Sequence, residues 1–175
     1  MVKVAISGYY GFKNFGDEAI LSVLVKHLKS LNNVDITVFS SDTDYTSKTY
    51  SVNAVKRFDL KNVIKTIQDS DVLISGGGSL LQDVTSVKSV VYYSLIIALG
   101  LLFNKKVIIF AQGIGPLNKK LSQFIVRNLL KNCSLVTVRD EKSLALLRNW
   151  GINTNLVCDP IYSLDVMQEF RENTI

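Results

Sequence analysis

The hydrophobic pattern of this chain alternates short, continuous apolar runs with longer segments whose apolar residues recur at helical spacing. The short runs are rich in valine and isoleucine, as expected for strands that are buried on both faces of a sheet. The most hydrophobic run, residues 107–111, is expected at the centre of that sheet. The predicted strands are residues 2–7, 35–39, 52–55, 71–75, 107–111, 134–138 and 155–158.

The segments between these strands mostly have the pattern of amphipathic helices. In the first of them, apolar residues between Ile20 and Leu28 recur at intervals of three and four positions. Asp59 and Asp140 are suited to cap the starts of two others. The polar residues 40–51 are predicted to form a loop. The predicted helices are residues 17–31, 59–68, 85–103, 121–131 and a segment that follows Asp140 and ends near Gly151.

This alternation of strands and helices predicts an α/β fold with a Rossmann-like, open parallel sheet and helices on both faces. Parallel neighbours need crossover connections, and helices of this length supply them in the usual right-handed sense. One domain over residues 1–160 accounts for the whole pattern. Residues 161–175 lose the periodicity and become polar, so we expect a linker or tail there.

Composition narrows the class of protein. The chain has 175 residues, is 47% hydrophobic and has a mean hydropathy of +0.23, which fits one globular domain. Cys133 and Cys158 are too few for a disulfide framework, and the N-terminus begins directly with a strand pattern. The longest apolar run, residues 90–103, falls short of the ~20 residues of a membrane span. We therefore expect a cytoplasmic protein.

The net charge of +5 favours anionic partners such as phosphorylated metabolites or an anionic membrane surface, although a solvated basic surface explains it equally well. No helix-turn-helix, zinc-finger or RNA-binding signature occurs, which argues against nucleic acid. The single histidine, His27, lies in the middle of a predicted helix. No catalytic triad and no metal-ligand cluster can be built from these residues, so no metal is predicted.

Four loops of glycine and polar residues follow predicted strands, at residues 8–18, 75–79, 112–116 and 139–140. In an open parallel sheet, the loops after the carboxyl ends of the strands converge on the crevice where such folds bind ligands. The sequence therefore predicts a binding site built from these four loops.

The first loop is acidic. Its glycines lack the G-x-G-x-x-G spacing of dinucleotide-binding proteins, which argues against a nicotinamide cofactor. Asn14, Asp17 and Glu18 could contact a hydroxylated substrate or carry protons, and Gly16 is a further substrate-binding candidate. The alternative is that Asp17 and Glu18 only start the following helix, where acidic residues complement the helix dipole.

The second loop has the opposite character. Gly76, Gly77 and Gly78, followed by Ser79, expose successive backbone amides that suit an anion. A tight turn beneath a packed helix is the alternative, since glycine also serves wherever the backbone needs a positive φ. Two polar side chains that could face the crevice follow shortly after, Gln82 and Asp83.

The last two loops add an amide and a cation. Gln112 and Gly113 leave the strand of residues 107–111, with Gln112 as a hydrogen-bonding side chain, although turning the chain explains the glycine equally well. Arg139 stands at a strand end, where a permanent cation can hold carboxylate or phosphate in a bidentate manner. An internal ion pair with Asp140, Glu141 or Asp159 is the alternative.

Taken together, these motifs resemble the polysaccharide pyruvyl transferases of the CsaB type. The resemblance runs in order from Ile6 to about Leu164. The segments that carry it are residues 8–11, 14–18, 76–83, 112–116, 139–143 and 159–160.

The resemblance implies a fold like that of GT-B transferases, in which two Rossmann-like domains face each other, with this chain as the N-terminal half. It implies transfer of pyruvate from phosphoenolpyruvate to a sugar as a 4,6-ketal, without a further cofactor. The acceptor would be an amino sugar such as N-acetylmannosamine of a cell-wall polysaccharide, or a lipid-linked saccharide at the inner membrane face. A second domain would supply further basic residues.

That chemistry assigns roles to the loops. Proton transfer falls to the carboxylates, which are Asp17, Glu18 and Asp83. Binding of the donor's anionic groups falls to Arg139 and the amides of residues 76–78. Hydrogen bonds to sugar hydroxyls fall to Asn14, Gln82 and Gln112. A glycosyltransferase that uses a nucleotide sugar would share the same fold, and a sugar- or anion-binding module without catalysis is a third reading.

Overall fold

The fold is that of a computed structural model, which describes residues 1–84 and 87–164. Within this part of the chain, seven parallel strands form one sheet in the order β3-β2-β1-β4-β5-β6-β7. The strands are β1 (Val2–Tyr10), β2 (Val34–Ser40), β3 (Asn53–Lys56), β4 (Val72–Gly76), β5 (Lys106–Gln112), β6 (Leu135–Val138) and β7 (Asn155–Leu156). The predicted open parallel α/β sheet is confirmed.

Helices connect these strands along the chain. They are α1 (Phe15–Ser30), α2 (Thr43–Tyr50), α3 (Leu60–Asp69), α4 (Val87–Leu102), α5 (Lys120–Lys131) and α6 (Glu141–Asn149), followed by a 3₁₀ helix (Pro160–Ser163). The two predicted caps are present, since Asp59 accepts a bond from the Asn62 N–H and Asp140 from the Ser143 N–H. No helix of the described segments combines the length and apolar character that a membrane crossing requires.

The prediction of a loop over residues 40–51 was wrong, because this segment contains α2. Its helix is short and polar, and it lacks the apolar stripe that reveals a helix in a sequence. Hydrogen bonds anchor it instead: Asp42 accepts from the Tyr45 N–H at 3.0 Å, and the hydroxyls of Ser40 and Thr46 lie 2.7 Å apart in the core.

The prediction that residues 107–111 form the central strand was also wrong. The middle strand is β4, which has three strands on each side and lies between β1 and β5. The strand order reverses between β1 and β4, and this switch point is where open α/β sheets bind ligands. The first and second glycine-containing loops both start there.

Successive residues of the inner strands point to opposite faces of the sheet. Ala5 and Leu73 join the cluster formed with α3, α4, α5 and α6, whereas Ile6 and Ile74 pack with α1. Both faces are therefore covered by apolar helix surfaces, which confirms the predicted layers.

The end of β1 reaches further than predicted. Tyr10 is fully buried, and its hydroxyl donates a 2.9 Å hydrogen bond to the Gly76 carbonyl at the end of β4. Burial raises the pKa of Tyr10, so the phenol stays a donor. This bond ties the two strands of the switch point together.

The predicted linker begins with a 3₁₀ helix that packs against α1. Leu164 is the last residue of that segment in the described structure. The remainder of the predicted linker, residues 165–175, lies outside the described residues, as do residues 85–86 at the start of the predicted fourth helix.

Candidate functional site

The four loops converge at the carboxyl edge of the sheet. The Gly113 N–H donates to the Gly78 carbonyl at 2.9 Å, which joins the second and third loops. Arg139 Nη2 lies 3.5 Å from Ser79 Oγ, which brings in the loop after β6. Asp17 of the first loop lies against Gly78, where an added Cβ would stand 2.6 Å from Asp17 Oδ1. The loops thus meet as the sequence predicted.

A cleft of about 320 Å³ opens beside this meeting point. Its walls come from the end of β1, the start of α1, the glycine loop and α4. The residues that line it are Tyr9, Asp17, Ser79, Leu80, Gln82, Ser89 and Tyr93. Three of the predicted site residues, Asp17, Ser79 and Gln82, therefore share one cavity.

The glycine loop needs its glycines for close packing against α1. Gly77 and Gly78 have φ values of 65° and 67°, a region that favours glycine. A Cβ on Gly77 would collide with Ile20 of α1. The Gly77 N–H donates to the Phe110 carbonyl at 3.0 Å, so one amide of the predicted anion-binding turn is already used by β5. The glycine loop is thus the tight turn beneath a packed helix that the sequence left as the alternative, and a binding role would come in addition.

Asp17 is the carboxylate that faces the glycine loop. Burial raises its pKa, the neighbouring Glu18 carboxylate raises it further, and the positive charge of Arg139 opposes both. A half-buried carboxyl group with a raised pKa keeps its proton to higher pH than an exposed one. The surroundings of Asp17 therefore favour its protonated form more than solvent does.

Glu18, the adjacent residue, is turned toward the protein interior. Its Oε1 accepts from the Gly11 N–H at 2.8 Å and its Oε2 accepts from the Tyr50 hydroxyl at 2.7 Å. Burial and this bond to Glu18 raise the pKa of Tyr50, which keeps the phenol a donor. Glu18 thus links the first loop to α2, and the structure gives both of its oxygens a partner away from the glycine loop.

Asp83 likewise has structural partners. Its Oδ1 accepts from the Asn118 N–H at 2.7 Å and its Oδ2 from the Lys119 N–H at 2.9 Å. These two bonds hold the pKa of Asp83 below its ordinary value, which favours the ionised acceptor over an acid. Asp83 fixes the approach to α5 and does not line the cleft with Asp17.

The predicted amide side chains are also placed by the fold. Asn14 caps α1, where its Oδ1 accepts from the Gly16 and Asp17 N–H groups at 3.1 and 3.4 Å. Gln112 is fully buried, and its Nε2 donates to Ser75 Oγ at 2.8 Å. The Gln112 side chain is therefore shielded from solvent and bonded to β4, and its Oε1 has no hydrogen-bond partner among the described residues.

Arg139 forms the ion pair that the sequence left as an alternative. Its Nη1 lies 2.7 Å from Asp159 Oδ2, with both side chains about one quarter exposed. Asp159 also accepts from the Ile161 N–H at 3.1 Å, so its carboxylate is held by the 3₁₀ helix. Asp159 thereby fixes the guanidinium with its other amino group toward Ser79 and the cleft.

Sequence reasoning missed a second arginine at the same edge. Arg57 follows β3 and is 6% exposed, and its Nη2 donates to the hydroxyl of Tyr93 at 3.3 Å. Its position two residues after the predicted strand of residues 52–55, comparable to that of Arg139, was the available signal. Five aromatic rings lie within 5.9 Å of its Cζ atom: Tyr9, Phe12, Phe58, Tyr92 and Tyr93.

The structure is an α/β domain with a cleft at the switch point of its sheet. Residues 14–174 match the model of one family, described as polysaccharide pyruvyl transferase. The chain belongs to the polysaccharide pyruvyl transferase family, which is a family of transferases. A search of curated proteins finds no match.

Solved structures add a likeness in fold. The crystal structure of Anabaena Alr3699/HepE in complex with UDP and glucose matches with a TM-score of 0.60 and 11% sequence identity. The match covers 91% of this chain and 44% of HepE, so the chain spans less than half of that protein's length. At this identity the likeness concerns the fold alone, and it agrees with the predicted resemblance to one half of a GT-B-type transferase.

Among the described residues, no group of three or more histidine, cysteine, aspartate or glutamate side chains is arranged to hold a metal ion. The polar side chains that line the cleft carry one carboxyl group, one amide and four hydroxyls, those of Tyr9, Ser79, Ser89 and Tyr93. Their chemistry is that of proton transfer and hydrogen bonding.

We expect Gly77→Ala to destabilise the fold by about 2–4 kcal/mol, because the new methyl group meets Ile20 in a left-handed backbone conformation. Gly151→Ala is the matched control, since Gly151 has a similar φ of 69° but nothing within 4 Å of the added Cβ. That control should cost about 1 kcal/mol in urea unfolding. Equal costs would show that α1 does not press on the glycine loop.

We expect Asp17→Asn to change how stability depends on pH. Because the folded-state pKa of Asp17 is raised, the folded protein binds more protons than the unfolded one as the pH climbs from the ordinary carboxyl value to the raised value. Wild type should lose stability across that interval, and the variant should not. Melting temperatures of both proteins between pH 3 and pH 7 measure this effect, and a constant difference would contradict it.

Proposed function

We propose that this chain forms one wall of the active site of a transferase that moves pyruvate from phosphoenolpyruvate to a sugar as a 4,6-ketal. The observation that carries the proposal is that Asp17 and Ser79 line one cleft, with Arg139 Nη2 3.5 Å from Ser79 Oγ, in a member of this family. A proton donor and a cation beside each other are what an anionic enol donor requires. No cofactor besides the donor is needed.

The reaction balances without water. Asp17 donates a proton to the enol methylene, which becomes a methyl group, and the neighbouring carbon takes on oxocarbenium character. One sugar hydroxyl attacks that carbon, the bond to the phosphate oxygen breaks, and the second hydroxyl closes the ketal. Of the two hydroxyl protons released, one leaves with inorganic phosphate and the other restores the acid.

The surrounding residues divide the work. Arg139, oriented by Asp159, holds a carboxylate or phosphate oxygen of the donor, together with the loop of residues 76–78 and Ser79. Gln82 lies in the cleft with Asp17 and contacts the acceptor hydroxyls. Glu18, Asp83, Asn14 and Gln112 act by fixing the loops, since each has hydrogen-bond partners in the protein. Gly113 allows the second and third loops to approach each other, since a Cβ there would stand 2.6 Å from Ser79 Oγ, whereas the Gly16 N–H donates to the Asn14 cap.

The acceptor is an amino sugar or a lipid-linked saccharide of a cell-wall polysaccharide, bound at the cytoplasmic side of the membrane. A second Rossmann-like domain supplies the facing wall and further basic residues. The likeness to HepE supports the fold of this half and favours no donor, because 11% identity carries no information on substrates.

Phosphate release tests the proposal directly. The protein expressed from its full gene should release inorganic phosphate from phosphoenolpyruvate only when an N-acetylmannosamine-containing acceptor is present. Mass spectrometry should show that the acceptor gains one pyruvate as a ketal. Turnover of UDP-glucose instead would support a glycosyltransferase, and acceptor binding without turnover would support a binding module. Either result contradicts the proposal.

A pair of variants separates binding from stability at Arg139. Arg139→Met leaves the Asp159 carboxylate without its cation, so we expect a loss of about 1–2 kcal/mol in the free energy of unfolding. We also expect the KM for phosphoenolpyruvate to rise at least tenfold, about 1.4 kcal/mol of binding.

Adding Asp159→Asn to Arg139→Met removes the unpaired carboxylate. Stability should recover in this double variant, whereas the raised KM should persist because the cation is still missing. If the double variant also regained the wild-type KM, the arginine would serve only the ion pair, and its proposed role in donor binding would be wrong.

A further inference from the structure

We propose that Arg57 and the aromatic rings around it form a second binding site, which takes an oxyanion, phosphate or carboxylate, carried on a group with a flat apolar face. This site is separate from Arg139 and stands whether or not the cleft carries out pyruvyl transfer. It lies after β3, at the same edge of the sheet as the other loops.

The first observation is a buried cation without a counter-charge. Arg57 is 6% exposed, and its Nε and Nη1 are shielded from solvent without a hydrogen-bond partner. Nη2 donates to the neutral hydroxyl of Tyr93, and the neutral hydroxyl of Tyr92 also lies near the side chain. No carboxylate of the described segments pairs with the guanidinium. Arg139, by contrast, has Asp159 at 2.7 Å.

Such an arrangement is costly in the ligand-free protein. Burying a charge is unfavourable unless it is paired, and each buried donor left without an acceptor costs further free energy. The aromatic rings attract the guanidinium, with Tyr92 nearest at 4.5 Å from Cζ, but a ring does not replace an oxygen acceptor for every N–H. The Arg57 guanidinium therefore lacks negatively charged oxygen atoms that would accept its hydrogen bonds.

The second observation is the exposed aromatic surface around this cation. Tyr9 and Phe12 stack with their centroids 4.1 Å apart and an angle of 7° between the rings. They are 39% and 40% exposed, and Phe58, whose ring lies 5.0 Å from Cζ, is 72% exposed. Since these two rings cover each other's inner faces, an outer face of the pair is what can receive the face of a sugar ring or another ring system.

The position of the site relates it to the cleft. Tyr93, which accepts the hydrogen bond from Arg57, also lines the cleft with Asp17 and Ser79. Tyr9 belongs both to the cleft wall and to the rings around Arg57. In the proposed site, the ligand displaces the exposed Phe58 ring, which lies 5.0 Å from Cζ, so that its oxyanion reaches Nε and Nη1. Its apolar face then lies against the outer side of the stacked Tyr9–Phe12 pair, beside the cleft.

Titration calorimetry with three probes tests this site in the protein expressed from its full gene. Phenyl phosphate, inorganic phosphate and benzoate differ in the anion and in the presence of a ring. We expect phenyl phosphate to bind more tightly than inorganic phosphate, because only the former can stack. Tighter binding of phenyl phosphate than of benzoate assigns the site to phosphate, and the reverse order assigns it to carboxylate. No binding of any probe would overturn the proposal.

Variants locate the binding. Arg57→Met should weaken the preferred probe at least tenfold, and Arg57→Lys, which keeps the charge but loses the planar guanidinium, should also weaken it. Arg148→Met is the matched control, since Arg148 is exposed on α6, and it should bind like wild type. Binding that persists in Arg57→Met and disappears in Arg139→Met would place the anion at the other arginine and overturn the proposal.

Phe12→Ala provides a test that leaves the cation intact. The variant should lose at least threefold of the preference for phenyl phosphate over inorganic phosphate while binding inorganic phosphate as before. An unchanged preference would show that the stacked rings take no part and would overturn the aromatic half of the site.

Discussion

The contact on which the site depends is the close packing of the glycine loop against α1. At the switch point, β1 and β4 are neighbours, and the Tyr10 hydroxyl joins their ends through the Gly76 carbonyl. The loop that follows can pass under Ile20 only because Gly77 has no side chain. This packing brings the start of α1, and with it Asp17, against Gly78. Larger side chains in the loop would move the helix away and open the cleft.

The same packing explains why two adjacent carboxylates have different surroundings. Successive residues of a helix point about 100° apart, so Asp17 faces the glycine loop while Glu18 faces the Gly11 N–H and Tyr50. Glu18 is tied down by hydrogen bonds. Asp17 is left half-buried, with a raised pKa and only the charge of Arg139 in opposition. The first turn of α1 thus supplies both a carboxylate that holds the first loop in place and a candidate acid.

The fold could be predicted from the sequence largely because buried strands and amphipathic helices have distinct periods. Helix α2 escaped because hydrogen bonds such as that of Asp42, rather than an apolar stripe, hold it. The convergence of the four loops also followed from parallel topology. The hydrogen-bond partners of Glu18, Asp83 and Gln112 could not be predicted in this way. Each has a partner far away in the sequence, whose position only the packed structure fixes.

Arg57 and Arg139 also show that a sequence does not reveal the partners of a side chain. Both follow a strand at the carboxyl edge, and the sequence alone gives no reason to treat them differently. The fold gives Arg139 a carboxylate from the 3₁₀ helix, which satisfies its charge and directs its other amino group to Ser79. It surrounds Arg57 with rings and leaves two of its nitrogens without acceptors. A cation that is already paired, such as Arg139, can orient a ligand. A buried cation whose N–H groups lack acceptors, such as Arg57, gains more free energy from binding an anionic ligand.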